Sequence, residues 1–222
     1  TLPPKEIKIA LLGDSMMDTL GDGYPALTKI LKSQLSNIRP TILNYGYGSS
    51  TLKDTLNRLG TSYEYRGKQY PNIFEQKPDI IVLESHAYNN YGNTKPGFDQ
   101  YQQELDALTT ILQNKLPNTN IIILSTISPN SLVFSSQDTL LTALNKIEKT
   151  RTIKTYLSRS ISFARSMGFI YVDASTPTLR SDGEGNTTYI DTDGIHPNSS
   201  GAELIASLLV DSITSNKLVD LP

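Results

Sequence analysis

The sequence predicts a three-layer α/β/α sandwich built on a five-stranded parallel sheet. Two observations predict it. Five short apolar runs recur along the 222 residues, and longer stretches with helical periodicity separate them. Strands alternating with helices of ten or more residues imply βαβ units, and right-handed crossovers follow.

The first run, residues 7–12 (IKIALL), ends at Gly13 and has the pattern of a buried strand. Four similar runs follow at 41–45, 79–84 (DIIVLE), 120–125 (NIIILS) and 169–173 (FIYVD). Between them, residues 24–35 set Leu27, Ile30, Leu31 and Leu35 on one helical face. Residues 98–116 do the same with Tyr101, Leu105, Leu108, Ile111 and Leu112. The stretch 147–167 repeats the pattern through Ile153, Tyr156, Leu157, Ile161 and Ala164, with Gly168 as a natural stop. A last helix is expected over 199–215. Residues 61–76, rich in Tyr, show no clear periodicity, and residues 181–192 read as a polar, Gly-rich loop. No repeat, linker or low-complexity tract interrupts residues 1–222, so a single domain is expected.

Composition narrows the function. With 20 Lys and Arg against 22 Asp and Glu, the chain has no electrostatic footprint for nucleic acid. The absence of Cys removes disulfides, thiolate catalysis and thiolate metal sites. No apolar run reaches the roughly 20 residues a membrane helix requires. A surface rich in uncharged polar residues suits an uncharged polar ligand better than a polyanion. The chain opens Thr1-Leu2-Pro3-Pro4. This makes a removed leader and an extracellular, periplasmic or cell-surface location the expectation.

Ligands of open parallel sheets bind at the carboxyl ends of the strands. Gly13-Asp14-Ser15-Met16 follows the first strand. Asn44, Gly46, Gly48 and Ser49 close the second, and Ser85, His86, Asn89 and Asn90 follow the third. After the fifth, a long loop leads to Asp193-Gly194-Ile195-His196-Pro197. A serine hydroxyl needs an adjacent base to become a nucleophile. His196 is the candidate base. Asp193, three residues earlier, can hold the other imidazole nitrogen in a tight turn. Pro197 fits the first position of the last helix. The competing reading, that Asp193 and His196 only cap that helix, leaves Ser15 without a purpose.

The pairing of GDSM at the first strand with DGIHPN before the final helix resembles the SGNH (GDSL-like) hydrolase family. Its motif blocks run along nearly the whole chain in this order. The resemblance implies a flavodoxin-like sandwich that hydrolyses esters, including lipids, thioesters and O-acetyl groups on glycans. It also implies Ser15, Asp193 and His196 as the catalytic triad. Oxyanion donors would come from the Ser15 N–H, a glycine N–H after strand two and an Asn side chain after strand three. Counting places the glycine position on Ser49, but Gly48 is the glycine, and Gly48 is the expectation. The family's G-x-N-D is replaced by Ser85-His86-Ala87-Tyr88-Asn89-Asn90, where Asn89 is expected and Asn90 is the alternative.

Asp14 is expected to tie down loop N–H groups, and His86 to be exposed and incidental. Gly46-Tyr47-Gly48-Ser49-Ser50-Thr51 fits a dinucleotide loop poorly, because Thr stands where close helix packing wants Gly or Ala. Gly21-Asp22-Gly23-Tyr24-Pro25 reads as a turn into a helix that begins at Pro25. Asp182, Glu184, Asp191 and Asp193 lack the spacing of a calcium loop, and no metal or other cofactor is expected. The chain has 12 Tyr against 5 Phe and no Trp. Tyr rings in rim loops suit sugars as well as they suit packing. The expected substrate is therefore a small ester or an acetylated glycan. A non-catalytic glycan-binding or interaction module on the same scaffold is the alternative, and a flavodoxin-like nucleotide binder a weaker third.

Overall fold

The computed structural model describes residues 3–219. Thr1 and Leu2, on which the leader expectation rests, lie outside the described residues. The expected sheet is present. Strands β1 (Lys5–Gly13), β2 (Ile38–Gly46), β5 (Ile80–Glu84), β6 (Asn120–Ser125) and β7 (Ile170–Asp173) are all parallel, in the order β2-β1-β5-β6-β7. Pro40 sits within β2, which is tolerable because β2 is an edge strand.

Side chains alternate across the sheet with a period of two. Ile9 and Leu11 of β1, Val82 of β5 and Leu124 of β6 enter one core, beneath α1 (Ser15–Asp18), α2 (Pro25–Gln34) and α7 (Ser199–Ser215). Ala10 and Leu12, Ile81 and Leu83, and Ile121 and Ile123 enter the other. That second face is covered by α3 (Leu52–Arg58), α5 (Lys95–Lys115) and α6 (Ala143–Met167). Two opposed cores on one sheet make the three layers. No helix among the described residues is long and apolar enough to cross a membrane.

Residues 61–76 are more ordered than the sequence suggests. They form an antiparallel hairpin, β3 (Tyr63–Tyr65) with β4 (Lys68–Tyr70), followed by a short helix α4 (Ile73–Gln76). Arg66 and Gly67 both take positive φ, the backbone a two-residue hairpin turn requires. The hairpin gathers the tyrosines: Tyr47 stacks on Tyr65 at 4.0 Å and Tyr63 on Tyr70 at 5.1 Å between ring centroids.

The strand order reverses between β1 and β5, each leaving the sheet to a different side. At such a switch point the loops diverge and open a crevice. Gly13-Asp14-Ser15 and Ser85 to Asn90 leave the sheet at that crevice.

Candidate active site

Strand β1 gives way directly to α1. Asp14 is its N-cap: the carboxylate accepts the Met16 N–H at 2.8 Å and, on its other oxygen, Asn89 Nδ2 at 2.7 Å. Ser15 occupies the first helical position, where a backbone N–H has no intrahelical acceptor. Neither that N–H nor the Ser15 hydroxyl is hydrogen-bonded to any described residue. Glycine is required at Gly46 in the neighbouring loop, because a Cβ there would lie 2.2 Å from the Asp18 nitrogen. This Gly46 thus serves close packing of α1, which is at odds with a phosphate cradle.

Asp193 and His196 form a closed unit. One Asp193 oxygen accepts the Ile195 and His196 N–H groups at 2.8 and 3.0 Å, and the other meets His196 Nδ1 at 2.5 Å. Burial works against ionisation of Asp193. The imidazole and the two N–H groups outweigh it and hold the carboxyl below its ordinary range. With Nδ1 donating to the carboxylate, Nε2 carries the lone pair. It is buried and has no hydrogen-bond partner among the described residues. Gly194 makes the turn possible at φ +76°, and a Cβ there would lie 1.8 Å from the Val133 carbonyl oxygen. Ser136 braces the turn from the same loop, donating its N–H to the Asp193 carbonyl and its hydroxyl to that of Thr192.

Helix α7 is capped by Asn198, whose side chain accepts the Gly201 N–H at 3.0 Å. Pro197 therefore precedes the cap instead of opening the helix, and Asp193 and His196 are not its capping residues.

The two expected oxyanion loops differ in character. Asn89 is anchored to Asp14, beside Ser15, and its second amide hydrogen is uncommitted. Asn90 turns back into its own loop, donating to Ala87 and accepting from Gly92. The Gly48 N–H is donated to the Tyr65 hydroxyl at 3.1 Å, which in turn donates to Asp18 at 3.0 Å. Ser49 takes the left-handed conformation, φ +58°, at the position where counting puts the glycine, and its N–H bonds to no described residue. Ser15 and His196 are not hydrogen-bonded to each other; a positive charge on the His196 ring would favour the Asp14 carboxylate.

Beneath Asp14 lies a network that sequence reasoning missed. Glu84, at the end of β5, is fully buried and accepts the Ser85 hydroxyl at 2.6 Å and the His86 N–H at 2.8 Å. His86, expected to be exposed, is 1% exposed, with Nε2 2.8 Å from the Thr55 hydroxyl and Nδ1 3.4 Å from Glu84. Burial, reinforced by the Arg58 charge, lowers His86 to about 3 and keeps the ring neutral. Burial raises Asp14 to about 6, and burial plus the Asp14 charge raises Glu84 well above its ordinary value. The one available signal is a carboxylate closing an otherwise apolar strand, DIIVLE.

Asp14, Glu84 and His86 are also the grouping with metal-compatible spacing among the described residues, with donor atoms within 4.8 Å. Each donor group already bonds within the protein. The acidic residues of 182–193 form no such group among the described residues: Asp182 pairs with Arg180, Glu184 with Lys154, and Asp193 with His196.

A cleft of about 730 Å³ opens beside Asn89, between the loop 88–93 and the first turns of α6. Tyr88, Asn90, Asn93 and Phe134 contribute to its walls. The tyrosines of the hairpin do not line it; Tyr63, Tyr65 and Tyr70 are engaged with one another and with Tyr47, Arg58 and Arg66.

A family model described as the GDSL-like Lipase/Acylhydrolase family matches residues 11–204. Among curated proteins no sequence matches significantly. Solved structures resemble the fold closely. The lipase/acylhydrolase from Enterococcus faecalis has a TM-score of 0.68 at 17% identity, covering 95% of this chain and 96% of that one. A GDSL-like lipase from Bacteroides thetaiotaomicron gives 0.66 at 13%, covering 94% and 88%. A variant of an acetyl-xylooligosaccharide esterase from Geobacillus stearmophilus gives 0.64 at 18%, covering 95% of each.

Proposed function

The chain belongs to the GDSL-like lipase/acylhydrolase family and is an ester hydrolase, and from that premise we propose that it works through an acyl-serine at Ser15. The observation that carries this reading is the Asp193–His196 pair, whose Nε2 is desolvated and unpartnered. An imidazole held in one tautomer with a free lone pair is a general base awaiting a proton.

Ser15 Oγ attacks the ester carbonyl carbon while its proton passes to His196 Nε2. The Ser15–His196 hydrogen bond that this step needs is one we place in the substrate complex, where such contacts often tighten. Negative charge then develops on the former carbonyl oxygen. The Ser15 N–H and the second Nδ2 hydrogen of Asn89 are the donors we assign to it. The third comes from the 48–49 turn, where Ser49, with its uncommitted N–H, replaces Gly48. Collapse expels the alcohol, protonated by His196. Water repeats the sequence on the acyl-enzyme and releases the acid.

The polar cleft beside Asn89 supports an O-acetyl ester of a carbohydrate as substrate. A hydroxyl-rich alcohol meets Asn89, Asn90 and Asn93 there, and the small acyl group needs no long apolar channel.

Hydrolysis of p-nitrophenyl acetate by the wild type and by Ser15→Ala tests the mechanism. The variant should lose on the order of 10⁴-fold or more in kcat. Equal turnover by both proteins would remove Ser15 from the chemistry.

A further inference from the structure

The cleft beside Asn89 contains an electrostatic feature that the esterase mechanism does not use. Glu148, Lys149 and Arg151, from the first turns of α6, line its far wall. None of the three side chains has an ion pair or hydrogen bond to a described residue. Other cations further along the same helix are engaged by the protein. Lys154 pairs with Glu184 at 3.3 Å, Arg159 lies over the Phe98 ring at 4.0 Å, and Arg165 over Tyr171 at 4.9 Å. The cations at 149 and 151 are thus left to whatever enters the cleft, and they outnumber its one carboxylate.

The opposite wall is polar and uncharged: Asn89, Asn90 and Asn93, with Tyr88 and Phe134 giving apolar surface. Amide side chains beside aromatic carbon match a sugar ring, with its hydroxyl edges and apolar face. Asn89 joins this wall to the loop that carries Ser15, because its Nδ2 is bonded to Asp14, the neighbour of Ser15. A volume of about 730 Å³ accommodates more than an acetyl group, so the acyl end alone does not account for it.

We infer that this cleft holds the alcohol portion of the ester, and that this alcohol is a carboxylate-bearing sugar, as in an acylated uronic-acid glycan. The inference rests on the esterase reading and names the substrate class for the same site. Lys149 and Arg151 meet the sugar carboxylate; Asn90 and Asn93 meet hydroxyls. Arg suits a planar carboxylate because its guanidinium offers two parallel donors.

The test compares kcat/KM on O-acetylated galacturonate oligosaccharides with that on O-acetylated xylo-oligosaccharides of equal length. Wild-type protein should prefer the anionic ester. The preference should shrink as salt rises from 0.02 to 0.5 M, because exposed charges are screened (estimated Debye lengths falling from about 20 to about 4 Å). The double variant Lys149→Gln/Arg151→Gln should lower the anionic-to-neutral ratio about tenfold, the scale of a lost charge-assisted hydrogen bond. Lys32→Gln, an exposed cation on α2, should keep the ratio. Equal rates on the two esters, or a ratio unmoved in the double variant, overturns the inference. Ser15-dependent hydrolysis of p-nitrophenyl acetate alongside that result leaves the esterase mechanism standing. Turnover independent of Ser15 defeats the mechanism, and the substrate assignment falls with it.

Discussion

Asn89 Nδ2 donates to the Asp14 carboxylate at 2.7 Å, linking the loop after β5 to the loop that carries Ser15. The two loops leave adjacent strands at the point where the sheet order reverses. This one hydrogen bond leaves the remaining amide hydrogen of Asn89 in a fixed direction. A donor held in place beforehand stabilises a developing oxyanion without reorganising during the reaction.

Asn89→Ala should therefore lower kcat by roughly 10²–10³, the usual loss for one oxyanion donor, with a smaller change in KM. Asn90→Ala should act mainly on stability, since its amide serves Ala87 and Gly92. Steady-state kinetics of the two variants on p-nitrophenyl acetate decide between them. A larger kcat loss in Asn90→Ala would reverse the assignment.

The buried carboxyl of Asp14 gives a pH signature. Burial raises it to about 6 from an ordinary 3.8. The folded protein then binds more protons than the unfolded chain between these values, so stability falls as pH rises through that window. Glu84, raised in the same direction, adds to the slope. In Asp14→Asn the group no longer titrates. The fall in Tm from pH 4 to pH 7 should be smaller than in the wild type, as differential scanning calorimetry would register. An unchanged slope would mean Asp14 is ionised in both states.

Glu84 should tolerate replacement by its neutral isostere. Burial favours its neutral form; there one oxygen still accepts the His86 N–H, and the Ser85 hydroxyl, which now donates to the other oxygen, can turn to accept from it. The amide of Gln reproduces both contacts, so Glu84→Gln should cost less than about 1 kcal/mol in urea unfolding. Glu84→Ala strips partners from two buried groups and opens a cavity, and should cost about 2–5 kcal/mol. A collapse of Glu84→Gln comparable to that of Glu84→Ala would show that the carboxylate is charged.

Acyl length provides a further test. The cleft lining has little apolar surface beyond Tyr88, Phe134 and Ile153. Among p-nitrophenyl esters, kcat/KM should fall from acetate to longer chains. Leu132, Leu140, Leu144 and Ile147 are exposed on and after the loop between β6 and α6, at 80, 90, 73 and 41%. If chains of eight or more carbons are hydrolysed faster, these side chains are the surface that holds them, and the acetyl-ester reading fails.

The strands were readable because both faces of a parallel sheet are covered, which forces near-continuous apolar runs such as residues 120–125. Asp193 and His196 were readable because their contact is local, three residues apart in one turn. The β3–β4 hairpin was not, since its three-residue strands are too short to show alternation and its turn places an Arg at positive φ. The burial of His86 and the role of Glu84 are hidden for a different reason. What buries them is Thr55, Asp14 and the strands around them, and partners 30 to 70 positions away leave no trace in local pattern. Gly48 is the expectation because it is the glycine beside the counted position, yet the left-handed residue with the uncommitted N–H is Ser49.

Gly194 tests how tightly the Asp193–His196 turn is built. It sits at φ +76°, and a methyl group there would lie 1.8 Å from the Val133 carbonyl oxygen and 2.6 Å from its carbon. Backbone of the 131–136 stretch cannot yield easily, because Ser136 is bonded to Asp193 and Thr192. In Gly194→Ala the turn itself must shift, carrying Asp193 and His196 with it. A displacement near 1 Å in such a constellation costs on the order of 10² in rate, so kcat/KM should drop at least that far. Gly183 is the control. It has a similar φ of +79° but open space where its Cβ would go, so Gly183→Ala should show only the backbone strain, about 1 kcal/mol, with activity retained. If both variants hydrolyse p-nitrophenyl acetate alike, the Asp193–His196 turn is not held by the contact with Val133.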